Sequence, residues 1–413
     1  MAEKALTPYT GLDLTDEKGM FCGKALGELG ATVIKVEKPG GDPARRIGPF
    51  YHNIPDREKS LFWFFFNTNK KGITLNLDSG DGRHYFRELV KKVDFIIESF
   101  TPGYLDSLDL GFAALSKLNP KLVMISIAPF GQTGPYAKFK FDDIVGMAMG
   151  GYMQFLGDAD RPPIRFTVPQ SFIQAGAHAA MTGVTALYHA QVSGQGQQVD
   201  TSMVEAVARG LHQELVFWEL DKFITEREGP RIVRTGLKVR QAWNCKDGQV
   251  GYRIILGAYA RSLREVAAAM KKEGFPLGAL GEIKDWDTLD YSQVGQEKMD
   301  AWEKVVGDYF MTHTKEELFA MSVETGWYLA PSYNVKEMAE WEHLKQRNFW
   351  AEIQHDELKD TIVYPAEPVK LDRTPYRTTF RAPLIGEHNL EIYEKLLGLS
   401  REDLIILKQE GVI

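Results

Sequence analysis

Ser171 and His178 are two side chains in this sequence that could combine a nucleophile with a general base. Such a pair activates a hydroxyl for attack on an acyl group when its members lie within hydrogen-bond reach, about 3 Å. The two residues are separated by seven positions in a segment that is typical of a helix, and seven helical residues rise about 10.5 Å. We therefore reject a Ser–His pair and interpret His178 as a packed helix residue.

Carboxylates are the other nucleophiles to consider, and their distribution is uneven. Asp142 and Asp143 precede an apolar stretch, a position that suits the N-cap of a helix. Between Arg161 and Val199, by contrast, the chain has no acidic residue. The centre of this interval carries amide, hydroxyl and apolar side chains: Gln170, Ser171, Phe172, Ile173 and Gln174.

Composition excludes several classes of partner. The net charge is -7 without a basic stripe, so we expect no nucleic-acid partner. Cys22 and Cys245 are the two cysteines and neither belongs to a C-x-x-C pair, so we expect no metal and a cytoplasmic location. Residues 61–66 form the most apolar run, and a membrane span needs about 20 such residues, so we expect no membrane contact.

The elements that position these residues alternate between strand and helix in the first half of the chain. Residues 31–37, 94–99 and 122–127 have the β-rich composition of buried parallel strands. A helix over 17–29 lies between the first turn and the first of these strands. This alternation predicts an α/β fold with a mainly parallel sheet. The turn at 15–19 contains no G-x-G-x-x-G, which argues against a nicotinamide dehydrogenase.

Later segments predict the remaining organisation. Asp78 or Ser79 can cap a helix, residues 175–191 form a small-residue helix suited to close packing against another backbone, and 202–220 continue as a second long helix. Asp247-Gly248 suits a hairpin turn. We predict a large Rossmann-like domain formed by 1–225 and 331–413, and a smaller mixed domain at 226–330.

Six blocks occur in an order and spacing typical of one enzyme family. They are DLT at 13–15, GATVIKVEKPGGDP at 30–43, NTNKKG at 67–72, ESFTPG at 98–103, SIAPFGQTGPY at 126–136 and GEH at 386–388. On these blocks the sequence resembles the family III CoA-transferases, the formyl-CoA and carnitine CoA-transferase type. The resemblance implies a Rossmann-like large domain, a small domain, and two chains threaded through each other as an interlocked-ring dimer.

The resemblance also implies a site for coenzyme A, which is a substrate in this family. Lys38 corresponds to a basic residue facing the nucleotide, and Lys140 to a lysine near the phosphates. The other implied contacts, with the adenine and with the CoA chain, are Leu75, Asn76, Leu77, Asp78, Ser99 and Phe100. Ser107 stands where formyl-CoA transferase has a CoA-contacting arginine. The alternative interpretation of Lys38 and Lys140 is that each is a solvated surface charge without a CoA contact. For residues 67–71 the sequence favours a turn with a basic rim over a direct phosphate contact.

The family's nucleophilic aspartate is missing. That aspartate attacks the donor thioester and passes through a mixed anhydride to an aspartyl-CoA thioester. Alignment from Gly176 places Phe172 at its position, and alignment from Ala177 places Ile173 there. Asp143 corresponds to an auxiliary acid near the active site. Related racemases need a histidine where this chain has Phe141, so we do not expect racemisation.

We therefore predict a subunit of a heteromeric CoA-transferase that moves CoA between carboxylic acids. A homologous subunit would supply the aspartate, and a small carboxylic acid and a CoA thioester would be the substrates. Some family members that act on aromatic acids have two different subunits, as succinyl-CoA:benzylsuccinate CoA-transferase does, and this chain resembles what we expect of the subunit without the aspartate. The alternatives are a stand-alone acyl-CoA isomerase or lyase, and a non-catalytic CoA-binding scaffold.

Overall fold

A six-stranded parallel sheet is the main element of the computed structural model, which describes residues 4–234, 236–286 and 288–413. Its strands are β1 Thr10–Asp13, β2 Thr32–Glu37, β3 Lys70–Thr74, β4 Phe95–Glu98, β5 Val123–Ala128 and β6 Gln198–Ser202. They lie in the order β3-β2-β1-β4-β5-β6, and each neighbouring pair is parallel. The predicted α/β class with a parallel sheet is confirmed.

Helices connect these strands and continue through the rest of the chain. The α-helices are α1 Met20–Glu28, α2 Leu61–Phe66, α3 Gly80–Val90, α4 Tyr104–Ser107, α5 Phe112–Leu115, α6 Asp143–Met149, α7 Tyr152–Phe155, α8 Gln170–Ser193, α9 Met203–Arg209, α10 His212–Asp221, α11 Arg261–Lys272, α12 Gln296–Phe310, α13 Lys315–Thr325, α14 Val335–Glu340, α15 Glu342–Gln346, α16 Asn389–Ile392 and α17 Arg401–Gln409. The remaining strands are β7 Arg231–Arg234, β8 Leu237–Arg240, β9 Ala242–Cys245, β10 Gly248–Tyr252, β11 Leu329–Pro331, β12 Trp350–His355 and β13 Asp360–Pro365.

Both faces of the sheet are apolar. Successive strand residues point to opposite faces, and the central strands carry apolar residues at successive positions. Leu12, Ile34 and Ile96 belong to one core cluster, and Phe95 and Ile125 belong to the other. All five side chains are fully buried. The central strands therefore read as continuous apolar runs, which is why their composition predicts a sheet covered on both sides.

Two helix predictions have opposite outcomes. The small-residue helix is confirmed as α8, where a Cβ added at Gly176 would lie 3.1 Å from the backbone nitrogen of Cys22 in α1. The single helix over 202–220 is wrong. Its first residue ends β6 and caps α9, which stops at Gly210 before α10 begins. Glycine at that position favours a helix end over its continuation.

The chain divides into two compact units. One contains the chain up to Gly151 together with residues 166–212 and 342–413, and the other contains residues 152–165 and 213–341. In the second unit β11, β10 and β9 form an antiparallel sheet, and β9 and β10 are joined by the predicted hairpin. Its core includes Trp243, Trp302 and Phe310. The predicted domain limits stay a prediction.

Residues 388–393 cover the open edge of the main sheet at β3. His388 donates its N–H to the Gly72 carbonyl at 2.9 Å, and its ring Nδ1 accepts the Gly72 N–H at 3.1 Å. Asn389 accepts the N–H of Thr74 at 2.9 Å, and Tyr393 donates its hydroxyl to the Thr74 carbonyl at 2.7 Å. These bonds satisfy edge groups that would otherwise be free to pair with another strand.

Candidate active site

The reversal of strand order between β1 and β4 marks the place where a sheet of this kind binds ligands, outside the carboxyl ends of its strands. Asp16 follows β1 and Ser99 follows β4. The Ser99 hydroxyl accepts the Asp16 N–H at 2.9 Å and donates to the Asp16 carboxylate at 2.8 Å. The two loops that border the crevice are therefore joined directly, and Ser99 is 4% exposed.

A buried charge network lies beneath this crevice. Lys70 donates to Asp13 at 2.7 Å, to the Met20 carbonyl at 2.9 Å and to Asn67 at 3.0 Å. Lys35 lies 3.7 Å from the Asp13 carboxylate and donates to the Thr15 carbonyl. Burial lowers the pKa of Lys70 to about 8, although Asp13 opposes that shift. Burial also opposes ionisation of Asp13, but Lys70 and Lys35 outweigh it and hold the pKa of Asp13 below its usual value.

This network corrects part of the prediction for residues 67–71: the turn is present at 67–69, but the lysines that follow it do not form a basic rim. Lys70 is the first residue of β3 and is 3% exposed. Its ammonium group forms all of the hydrogen bonds described above with residues inside the protein. Lys71 is half-buried and pairs with Glu391 at 2.7 Å. The two lysines stabilise the fold, and neither forms a solvated basic rim.

Lys38, Asp78 and Phe100, three of the residues implied for CoA, lie close together in space. Lys38 donates to the Asp78 carboxylate at 2.7 Å, and both side chains are more than half exposed. Tyr104 donates its hydroxyl to the same carboxylate at 3.0 Å and packs against Phe100, with ring centroids 4.8 Å apart. The hydrogen bond to Asp78 raises the pKa of Lys38, so Lys38 is cationic at neutral pH.

The other implied CoA residues are placed differently. Leu75 and Leu77 are 1% and 6% exposed and belong to the core, so their side chains offer little surface to an adenine ring. Asn76 donates to the Gly411 carbonyl at 3.3 Å. Lys140 is exposed on the loop after β5, and Ser107 donates to the carbonyl of Tyr104. The CoA roles of these residues stay predictions.

The start of α8 contains Phe172 and Ile173, the two residues that the sequence alignments predict at the nucleophile position. Phe172 is 7% exposed and packs in the core on the α1 side of the sheet, 6.4 Å from the ring of Phe141. Ile173 packs against the aromatic cluster formed around α2. Gln170 and Gln174 are half-buried amides. Both candidate positions therefore carry packed hydrocarbon side chains, and the absence of the nucleophile from this chain stays a prediction.

Ser171 and Asp143 hold this helix start in position. The Asp143 carboxylate is 2% exposed and accepts both the N–H and the hydroxyl of Ser171, at 2.9 and 2.7 Å. Pro169, the N-cap residue of α8, provides no side-chain cap, so Asp143 substitutes for one. Asp142 caps α6 as predicted. The Ser171 hydroxyl is thus committed to a structural bond, whereas an auxiliary role for Asp143 stays a prediction.

A group of five aromatic rings around this helix start was not predicted. Phe130 packs against both Phe141 and Tyr136, at 5.6 and 5.7 Å between ring centroids. Phe139 packs against Tyr136 at 4.9 Å, and Phe172 completes the group through Phe141. We call these residues the five-ring cluster. Aromatic residues recur at 130, 136, 139 and 141, and this recurrence was the signal available in the sequence.

Comparison with known proteins identifies the family. A model of CoA-transferase family III matches residues 16–389. The chain belongs to this family. One relative is the succinyl-CoA:(R)-benzylsuccinate CoA-transferase subunit BbsE of Thauera aromatica, 32% identical over 92% of each chain. Another is the succinyl-CoA–D-citramalate CoA-transferase of Chloroflexus aurantiacus, 32% identical over 96% of this chain and 94% of that protein.

The fold of this chain also occurs in a solved structure of another protein. The CAIB/BAIF family protein from Brucella suis has a TM-score of 0.81, covering 95% of this chain and all of that one, at 23% identity. None of the helices in the described part of the chain has the length and apolar character that crossing a membrane requires. Across residues 4–234, 236–286 and 288–413 no group of three or more His, Cys, Asp or Glu side chains could hold a metal ion.

Proposed function

We propose that this chain is one subunit of a heteromeric family III CoA-transferase, and that this subunit lacks the nucleophile. The observation that carries the proposal is the apolar start of α8, where Phe172 and Ile173 occupy the candidate positions and Ser171 is committed to Asp143. A hydrocarbon side chain cannot form the anhydride that the transfer needs. The aspartate would therefore come from a homologous subunit in an interlocked assembly.

The proposed reaction moves CoA from succinyl-CoA to an aromatic acid such as benzylsuccinate. The partner's aspartate attacks the thioester carbonyl, and CoA leaves as the thiolate. The thiolate then attacks the aspartyl carbonyl of the mixed anhydride, which releases succinate and leaves an aspartyl-CoA thioester. The acceptor carboxylate repeats the two steps in reverse. The name of BbsE supports this substrate class.

This chain would contribute to CoA binding. Lys38 and Lys140 are exposed cations suited to phosphates, and the half-buried Phe100 offers an apolar surface beside the crevice. Ser99, Leu75, Asn76, Leu77 and Asp78 would position the loops that line the nucleotide. No metal takes part in the proposed chemistry.

The test is a transfer assay on the chain alone and on the chain co-expressed with a homologous subunit that carries the aspartate. We expect acyl transfer between succinyl-CoA and benzylsuccinate from the pair and none from the single chain. Transfer by the single chain would contradict the proposal, as would isomerase or lyase turnover without a partner.

A pair of substitutions in the assembled enzyme locates the chemistry. Changing the partner's aspartate to asparagine should lower kcat by at least about 10³-fold, because the acyl carrier is lost. Gln174→Ala in this chain should change kcat less than about two-fold, because a half-buried amide carries no acyl group. A loss of kcat from Gln174→Ala as large as that from the partner substitution would place the chemistry in this chain instead.

A further inference from the structure

The loop after β5 presents an aromatic surface to solvent. Its residues 129–141 carry four members of the five-ring cluster, and exposure rises away from α8. Phe172 is 7% exposed, Phe141 is half-buried, Tyr136 is 46% exposed and Phe139 is 59% exposed. The cluster therefore connects the position of the missing nucleophile with two rings that face water.

The two outer rings are held rather than loosely attached. Tyr136 and Phe139 lie 4.9 Å apart and tilted by 39°, and Phe130 contacts both from beneath. Gly131 and Gly134, with φ of 80° and 95°, give the loop a backbone that other residues adopt with strain. A fixed pair of exposed rings is a surface on which another planar ring can pack.

Two cations flank these rings. Lys138 and Lys140 are exposed on either side of Phe139 in the sequence, and among the described side chains neither forms an ion pair within 4 Å. The nearest acidic residue in the chain, Asp142, accepts the N–H of its neighbour, and Asp200 accepts the N–H of Gln132. The loop therefore combines an aromatic surface with two exposed lysines.

We propose that Tyr136 and Phe139 bind the aryl group of an aromatic dicarboxylic acid. Lys138 would bind the carboxylate that does not receive CoA. This inference rests on the proposed function and names the residues that would select its acceptor acid. Stacking of a planar ring and pairing of a carboxylate with an ammonium group match the ligand to the surface. An aliphatic dicarboxylate supplies the charge without the ring, so the surface discriminates by the aryl group.

Direct binding to the full-length chain tests the inference without the partner. Calorimetry with 2-benzylsuccinate and with succinate should show benzylsuccinate bound at least about ten-fold more tightly. Phe139→Leu should remove most of this difference, and Lys138→Gln should weaken both ligands several-fold. The matched control is Phe380→Leu, which changes a 63% exposed ring elsewhere in the same unit and should leave both affinities unchanged.

Four results would overturn the inference. One is equal affinity for the two acids, and another is an equal effect of Phe139→Leu and Phe380→Leu. The third is a Phe139→Leu variant that loses binding of 3′,5′-ADP instead, because the rings would then pack against the adenine of CoA.

Light scattering and circular dichroism on Phe139→Leu must show unchanged mass and fold. The fourth result is a drop in mass, which would identify the rings as a subunit contact and refute the assignment. A chain that binds benzylsuccinate on these rings but transfers no CoA with any partner would disprove the proposed function alone.

Discussion

Two regions of the first unit treat charge in opposite ways. Within β1, β2 and β3 the protein buries Asp13, Lys35 and Lys70 with almost no exposure, and each charge has a partner. At the start of α8, Phe172 and Ile173 pack in hydrophobic clusters. Both regions serve the same sheet within one chain.

The difference shows that this fold tolerates buried ions when their partners are built in. Burying an ion without a partner costs far more than burying a matched pair. Phe172 packs in a hydrophobic cluster with residues of α1 and β5, and the buried Asp143 carboxylate bonds to the neighbouring Ser171.

The largest expected effect is that of Phe172→Asp, which places a carboxylate in the apolar region. The free energy of unfolding should fall by about 5 kcal/mol at pH 8, from lost packing and an unpaired buried carboxylate. Stability should partly recover towards pH 5, because burial raises the pKa of such a carboxyl and protonation removes the charge. Urea denaturation at both pH values measures this, with Phe172→Leu as the control. Equal stability of the two variants would show that the region accepts charge.

Lys70→Met tests the charged region from the other side. Removing this cation leaves Asp13 buried with Lys35 at 3.7 Å, and we expect a loss of about 3–5 kcal/mol. The double variant Asp13→Asn with Lys70→Met should be less destabilised than the sum of the two single variants, since it leaves no orphaned charge. Additive losses in urea melts would show that the pair is not coupled.

Glu98 is an intermediate case, a buried carboxylate held by hydrogen bonds. It is 5% exposed, and burial raises its pKa to about 7, with Ser126 and the Phe100 N–H opposing the shift. Because the folded pKa exceeds the unfolded value, stability should fall as pH rises from about 4.5 through 7, by about 3 kcal/mol. Glu98→Gln should lack this decline in unfolding experiments from pH 5 to 8. Parallel curves for the two proteins would contradict the assignment.

Lys38→Gln should have the smallest effect on stability. Its pair with Asp78 is more than half exposed on both sides, and exposed pairs contribute less than about 1 kcal/mol. Affinity for CoA, measured by calorimetry at low and high salt, should fall more clearly than stability if Lys38 meets the nucleotide. A loss of stability without a loss of affinity would restrict Lys38 to a structural role.

The sequence predicted the features that depend on local pattern. The parallel strands follow from apolar runs, the Gly176 contact from a small-residue helix, and the family from ordered blocks. It did not predict the partners of Lys70, because a lysine at the start of a strand points to either face and pairing depends on distant residues. The five-ring cluster was missed for the same reason, since it joins Phe172 to a loop more than thirty residues earlier.

The cover over β3 has a consequence for synthesis on the ribosome. The strand forms from residues 70–74, but the groups that complete its edge come from residues 388–393, more than 300 positions later. At a translation rate of about 5–20 residues per second, this edge stays open for at least about 15 seconds after the strand emerges. The nascent chain is therefore exposed to strand-to-strand association during that interval, and binding of a chaperone to residues 70–74 would protect it.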